Sequence, residues 1–177
     1  MQKDFITVTP DSGGSGSTTV TVAASANQTE STRSTSLSVA GGEMTRTVGA
    51  SQAAGVVTWN YYFSVTPTSL SFVAGGETKS VTVTSYRKKV INGVETSTQE
   101  NVPWTVTGSS GFNVADTRVV SEPNPNNNSR TGTATYKQDG TNKTVTVDLA
   151  QAAPKINTLR IEITTPGSTE SQVYMFN

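Results

Sequence analysis

The sequence predicts an all-β protein, and three observations carry that expectation. Thr and Val dominate, at 31 and 21 of 177 residues, while Leu occurs only 4 times. Thr and Val are stiff at χ1 and sit well on a pleated surface, whereas helices draw on Leu and other residues not branched at Cβ. Apolar and hydroxyl residues alternate along many short segments, the spacing that puts i and i+2 on one side of a strand. Turn signals separate these segments at short intervals, as they do in a β-sandwich. The hydrophobic fraction of 33% is low, but only 15% of the chain is charged, so it lacks the composition of a disordered segment.

The strands follow in order. Phe5-Ile6-Thr7-Val8-Thr9 and Thr18-Thr19-Val20-Thr21-Val22 alternate cleanly. Ser36–Val39 and Thr45–Val48 flank Gly41-Gly42, a hairpin signal. Further strands read at Phe63–Thr66, Leu70–Val73, Ser80–Ser85, Trp104–Thr107, Arg118–Ser121, Gly132–Lys137 and Thr144–Leu149. Gly75-Gly76 turns the chain after Val73, and Asp139-Gly140 joins the last two strands.

Internal repeats set the organisation. Val8-Thr9-Pro10 recurs as Val65-Thr66-Pro67, and Gln52-Ala53-Ala54 recurs as Gln151-Ala152-Ala153. The stretch from Arg33 through Gly41-Gly42 to Ala54 matches the stretch from Arg130 through Asp139-Gly140 to Ala153, with a difference of two residues at the turn. Upstream, the Phe5–Val8 strand matches the region of Phe112-Asn113-Val114 rather than that of Phe63. The first unit (1–55) therefore reads as the second half of the domain that is complete at 63–153, with 56–62 as linker and 154–177 as a tail.

These residues resemble a known family. FSVTPTSLSFVAGGETKSVTVTS (63–85), VPWTVTG (102–108) and a hydroxyl-rich hairpin ending in VDLAQAAP (147–154) look like a BACON domain, the immunoglobulin-like β-sandwich of gut Bacteroidetes and their crAss-like phages. Residues 5–54 resemble the family's second half. The expected architecture is thus tandem immunoglobulin-like sandwich units, the first of them half a domain, plus a strand-forming C-terminal tail. Two segments depart from the family pattern: 86–101 is an insertion before Trp104, and 122–129 replaces a Gly/Ser turn.

A half sandwich leaves an uncovered apolar face and unpaired edges. The tail is the candidate to complete it. Leu159, Ile161 and Ile163 alternate with polar residues, Pro166-Gly167 turns the chain, and Val173, Tyr174 and Phe176 lie in a second possible strand. The expectation is that 157–176 pairs with 5–54, in the same chain or in a neighbour.

Catalysis is not expected. The chain has no His and no Cys, which removes thiolate and imidazole metal sites, cysteine nucleophiles and the Ser-His-Asp triad. Asp4, Asp11, Asp116, Asp139 and Asp148 are scattered and mostly at turns. The Asn-rich loop 124–128 reads as a turn, since Glu122 is its one nearby acid and no EF-hand pattern is present. Gly13-Gly14-Ser15-Gly16 lacks the Lys and helix of a phosphate loop. No metal or cofactor is implied. Lys plus Arg equals Asp plus Glu at 13 each, so no nucleic-acid partner is expected. Apolar runs fall far short of the roughly 18 residues that span a bilayer, so no membrane partner is expected either.

Trp59, Tyr61 and Tyr62 cluster between the units. They read either as a glycan-stacking platform or as packing for the junction. Trp104 reads as the core Trp of the sandwich. Tyr86 and the run Arg87-Lys88-Lys89 open the insertion, and the basic run reads as a solvated loop or hairpin end. MQKDFITVTP carries no apolar signal-peptide core, so either the protein is used without export or an export signal has been removed. Two roles follow. One is a structural virion protein of a crAss-like phage, an auxiliary or decoration capsid or fibre component assembled in the host cytoplasm. Its partners would be other virion subunits and, at exposed faces, host-surface glycans. The other is a carbohydrate-binding or spacer module of a secreted Bacteroidetes protein, extracellular or on the cell surface.

Overall fold

A computed structural model describes residues 2–155, 157–162 and 171–176, with side chains from Asp4 to Lys155. Among these residues every regular element is a strand, as the composition requires. In chain order they are β1 (Gln2–Lys3), β2 (Ile6–Thr9), β3 (Thr21–Ala24), β4 (Arg33–Gly41), β5 (Met44–Gln52) and β6 (Val57–Thr66). Then come β7 (Ser69–Phe72), β8 (Glu77–Ser80), β9 (Thr82–Ile91), β10 (Val94–Asn101), β11 (Trp104–Gly108) and β12 (Phe112–Ala115). The last are β13 (Arg118–Ser121), β14 (Arg130–Gln138), β15 (Thr144–Gln151), β16 (Asn157–Glu162) and β17 (Ser171–Phe176). The chain divides into two compact units, Met1–Tyr61 with Arg87–Glu100, and Tyr62–Tyr86 with Asn101–Asn177.

The second unit is a two-layer sandwich. One sheet has the order β11-β14-β15-β7 and the other β12-β13-β8. Period-two alternation turns Ala134 and Tyr136 of β14 and Val147 and Leu149 of β15 inward, where they meet Leu70, Phe72, Val81, Phe112 and Val119. The β7 strand runs parallel to β15, with Leu70 opposite Leu149 and Phe72 opposite Gln151. Trp104 packs on this core, its ring centroid 5.7 Å from that of Tyr136. The turn after Val73 needs glycine: Gly76 has φ 84°, and a Cβ there would lie 2.7 Å from the Ser121 carbonyl oxygen.

The first unit has a sheet β1-β2-β3 and a hairpin β4-β5. Its buried apolar cluster is small: Ile6, Val8 and Leu37, with Phe5 against them. The inserted segment belongs to this unit. It forms a hairpin of β9 and β10, and β9 pairs with β6 in the order β10-β9-β6. Its turn is Asn92-Gly93, with φ 47° and 81°, the positive values that a two-residue hairpin loop requires. Asn92 fixes the hairpin: Nδ2 donates to the Asn27 carbonyl (2.8 Å), Oδ1 accepts from the Val56 N–H (2.9 Å), and its N–H donates to the Val56 carbonyl (2.9 Å). Gly55 makes the close approach possible, since a Cβ there would collide with the Asn27 carbonyl and the Ile91 side chain.

Arg87, Lys88 and Lys89 thus lie within a strand rather than in a loop. Each has an acid to pair with: Arg87 with Glu100 (2.6 Å), Lys88 with Glu95 (3.1 Å) and Lys89 with Glu30 (2.6 Å). Paired charges suit a two-sided, half-exposed ribbon, which a solvated loop would not need.

In the tail, β16 and β17 form an antiparallel ladder with one another. Leu159 is opposite Tyr174, Ile161 opposite Gln172, Arg160 opposite Val173 and Asn157 opposite Phe176. Ile163 lies outside the described residues.

Candidate functional site

The open inner face of the first unit is the site to consider. On paired strands, directly opposed residues share a face, and alternate residues along a strand do too. Val22 is opposite Val8, and Ala24 is opposite Ile6. Val48 is opposite Leu37, Arg46 opposite Val39 and Met44 opposite Gly41. Val22, Val39, Met44 and Val48 therefore belong to the face that carries Ile6, Val8 and Leu37. Yet they are exposed, at 46%, 58%, 70% and 52%.

The second unit shows what is missing. The repeat aligns Leu37 with Ala134, Val39 with Tyr136, Val48 with Val147 and Ala50 with Leu149. All four residues of the second unit are 0–1% exposed. There, Leu70 and Phe72 of β7 and Val81 after β8 cover them. Among the described residues β5 is hydrogen-bonded only to β4, and β3 only to β2. Among the described residues, the inner face of the first unit is thus exposed where its counterpart is covered, and β5 carries no strand on its outer side.

The repeat also places one polar clamp in each unit. Arg33 Nε donates to Gln52 Oε1 (2.8 Å), and both Arg33 Nη2 and Gln52 Nε2 donate to the Ser25 carbonyl (2.7 and 2.9 Å). In the second unit Arg130 Nε donates to Gln151 Oε1 (2.6 Å), and Arg130 Nη2 and Gln151 Nε2 both donate to the Glu122 carbonyl (2.7 and 2.8 Å). Each guanidinium lies over an aromatic ring, Arg33 over Phe5 at 4.3 Å and Arg130 over Phe112 at 5.4 Å. Buried Asn27 and Asn124 close the preceding loops alike: Asn27 donates to the Ser31 and Ala53 carbonyls, and Asn124 to those of Asn128 and Ala152. The two repeated segments therefore carry the same polar clamp.

Residues 2–53 match the family model described as "BACON: Putative binding domain, N-terminal". Over those residues the chain is similar to a BACON domain. The match falls on the first unit, the one with the open face. The NMR structure of a protein from Bacteroides vulgatus ATCC 8482 is 26% identical in a match covering 55% of this chain and 92% of that one, with a TM-score of 0.42. No curated protein matches the chain.

The predicted aromatic cluster divides. Trp59 and Tyr61 alternate on one side of β6, and Tyr62 is on the other. The Arg87 guanidinium covers Trp59 at 4.1 Å, with Lys89 Nζ 5.7 Å from the same ring. Arg87 also donates to the Tyr61 hydroxyl (3.4 Å), and Tyr61 and Glu100 together hold its pKa above the usual arginine value. Tyr62 stacks on Tyr86, with centroids 4.8 Å apart and planes 14° apart. One face of Trp59 and one of Tyr62 are thus occupied by the chain's own groups. Among the described residues no three acidic side chains gather where they could hold a metal ion. A groove of about 410 Å³ at Thr105, Lys137, Asp139, Gly140, Thr141 and Asn142 is polar and has no aromatic wall.

Sequence reasoning passed over two structural features. The clamp residues Arg33, Gln52, Arg130 and Gln151 were visible as a repeat, but nothing local marks a half-buried Arg-Gln pair. The Asn92-Gly93 turn was legible, being the strongest short hairpin signal available.

Proposed function

We propose that the chain is a non-catalytic assembly module and that it joins its partners by strand complementation at the first unit. The observation that carries this reading is the exposed inner face of Val22, Val39, Met44 and Val48, where the second-unit counterparts of Val39 and Val48, Tyr136 and Val147, are fully buried. A fully buried side chain of this size is worth about 1.5–3 kcal/mol. Covering four that are already half covered is worth about 3–6 kcal/mol, and each ladder hydrogen bond adds about 1 kcal/mol. That scale suits subunits that meet at high local concentration.

The test is a titration followed by NMR. A peptide of the sequence Thr68–Val73, which contains the strand that covers the second unit, is added to the full chain. Amide shifts at Val39, Val48 and Val22 are expected. Shifts at the Trp59 indole with oligosaccharides, and none at β5 with the peptide, would replace this reading with sugar binding.

The setting that fits such a module is a virion of a crAss-like phage, in which it would serve as an auxiliary capsid or fibre component. Quantitative mass spectrometry of purified virions checks this, with stoichiometric copies of the chain expected. Recovery only from the secreted or surface fraction of a Bacteroidetes cell would move it to the alternative, a binding or spacer module, which the family's description as a binding domain favours.

A further inference from the structure

We infer that the occupant of the open face is the C-terminal hairpin of a second copy of this chain, whose β16 adds parallel to β5. This rests on the assembly reading above and names its partner. The second unit supplies the template: β7 adds parallel to β15, and its Ser69-Leu70-Ser71-Phe72 places an apolar residue at every second position. The equivalent of β15 in the first unit is β5, and among the described residues it is paired only on its β4 side.

A donor must be an extended segment with the same alternation and an unpaired edge. Asn157-Thr158-Leu159-Arg160-Ile161-Glu162 has that pattern, with Leu159 and Ile161 at the spacing of Leu70 and Phe72. Its described ladder is with β17 alone, which leaves one edge of β16 for a further strand. A two-stranded ribbon is marginal by itself in water, so hairpin and open face each lack what the other supplies. Among the described residues β16 is hydrogen-bonded only to β17 and β5 only to β4, so each offers its other edge to a second copy. Four half-exposed apolar side chains and one ladder correspond to self-association at roughly micromolar to millimolar concentration.

Donor and acceptor are different surfaces, so the contact is head-to-tail and propagates beyond a dimer unless it closes into a ring. Sedimentation velocity of the full chain across a concentration series tests this. The wild-type mass is expected to rise with concentration through a series of oligomers. Two variants separate the surfaces: Val39→Lys with Val48→Lys for the acceptor, and Leu159→Lys with Ile161→Lys for the donor. Each alone should remain monomeric with an unchanged circular dichroism spectrum. Their mixture should give a 1:1 dimer and nothing larger, because one good donor then meets one good acceptor. Loss of association in the acceptor variant but not in the donor variant would overturn the hairpin as occupant and leave the assembly surface standing. Association untouched by either variant would overturn both. A wild-type chain that stays monomeric throughout, while the Thr68–Val73 peptide still binds, would again remove only the second copy.

Discussion

Tyr136→Ala is expected to destabilise the second unit by about 3–5 kcal/mol, whereas Val39→Ala, at the equivalent position of the first unit, should change its stability by less than about 0.5 kcal/mol. The two residues occupy the same place in the repeat, on the inner face of β14 and β4. Tyr136 is 0% exposed, packs on Trp104, and fills the space between two sheets. Its truncation removes a large transfer term and leaves a cavity that close-packed neighbours cannot collapse into. A small offset comes from its hydroxyl, which is buried without a partner and whose pKa is raised by that burial. Val39 is 58% exposed, so truncation moves little surface between water and protein. Urea unfolding followed by amide exchange at Val147 and Val48 reads the two units separately. It should be run dilute enough to keep the chain monomeric, because at high concentration the Val39 variant is expected to lose affinity rather than fold. Equal costs at the two positions would mean that the inner face of the first unit is covered.

This asymmetry is also where the sequence was most informative. The recurrence of Arg33 and Gln52 as Arg130 and Gln151 fixed which strands correspond, and the structure places those four residues in matching hydrogen-bonded clamps. Phe5 and Phe112 lie beneath the two guanidinium groups, as the upstream register implies. Alternation gave nearly every strand of the second unit, because both sheets bury one face and a one-residue slip would invert it. The inserted segment was harder to read. Arg87-Lys88-Lys89 and Glu95 to Glu100 carry no apolar alternation, and their strand is held by ion pairs and by its ladder with β6. Nothing in a single sequence states that a segment interrupting one domain will belong to another. The aromatic cluster was ambiguous for a related reason: what decides whether Trp59 faces a ligand is a guanidinium 28 positions along the chain, at Arg87.

That insertion is the second place where a large effect is expected. Replacing Arg87–Glu100 by a two-residue Asn-Gly turn should unfold the first unit and leave the second intact. The first unit buries only Ile6, Val8 and Leu37 in its apolar cluster, so its own core is too small to carry it. The hairpin adds buried Val90 and Ile91, together worth about 3–6 kcal/mol. The three hydrogen bonds between Asn92 and the Asn27 and Val56 backbone add about 1 kcal/mol each. Arg87 also stacks on Trp59, and the Lys89–Glu30 pair adds at most about 1 kcal/mol. The sum, about 6–10 kcal/mol, is comparable to the whole stability of an ordinary domain. The excision ends lie in the second unit, where the Val102 N–H already donates to the Ser85 carbonyl, so a short turn can rejoin them. Asn92→Ala alone should cost about 2–3 kcal/mol, because it removes two of those bonds and leaves the Val56 N–H without its acceptor. Amide exchange again separates the outcomes. Val8 and Val48 should lose protection in the excised chain while Val119 and Val147 keep theirs. Retained protection at Val8 would show that residues before Tyr61 fold without the hairpin, and the inserted segment would then be an ornament of the first unit rather than a part of it.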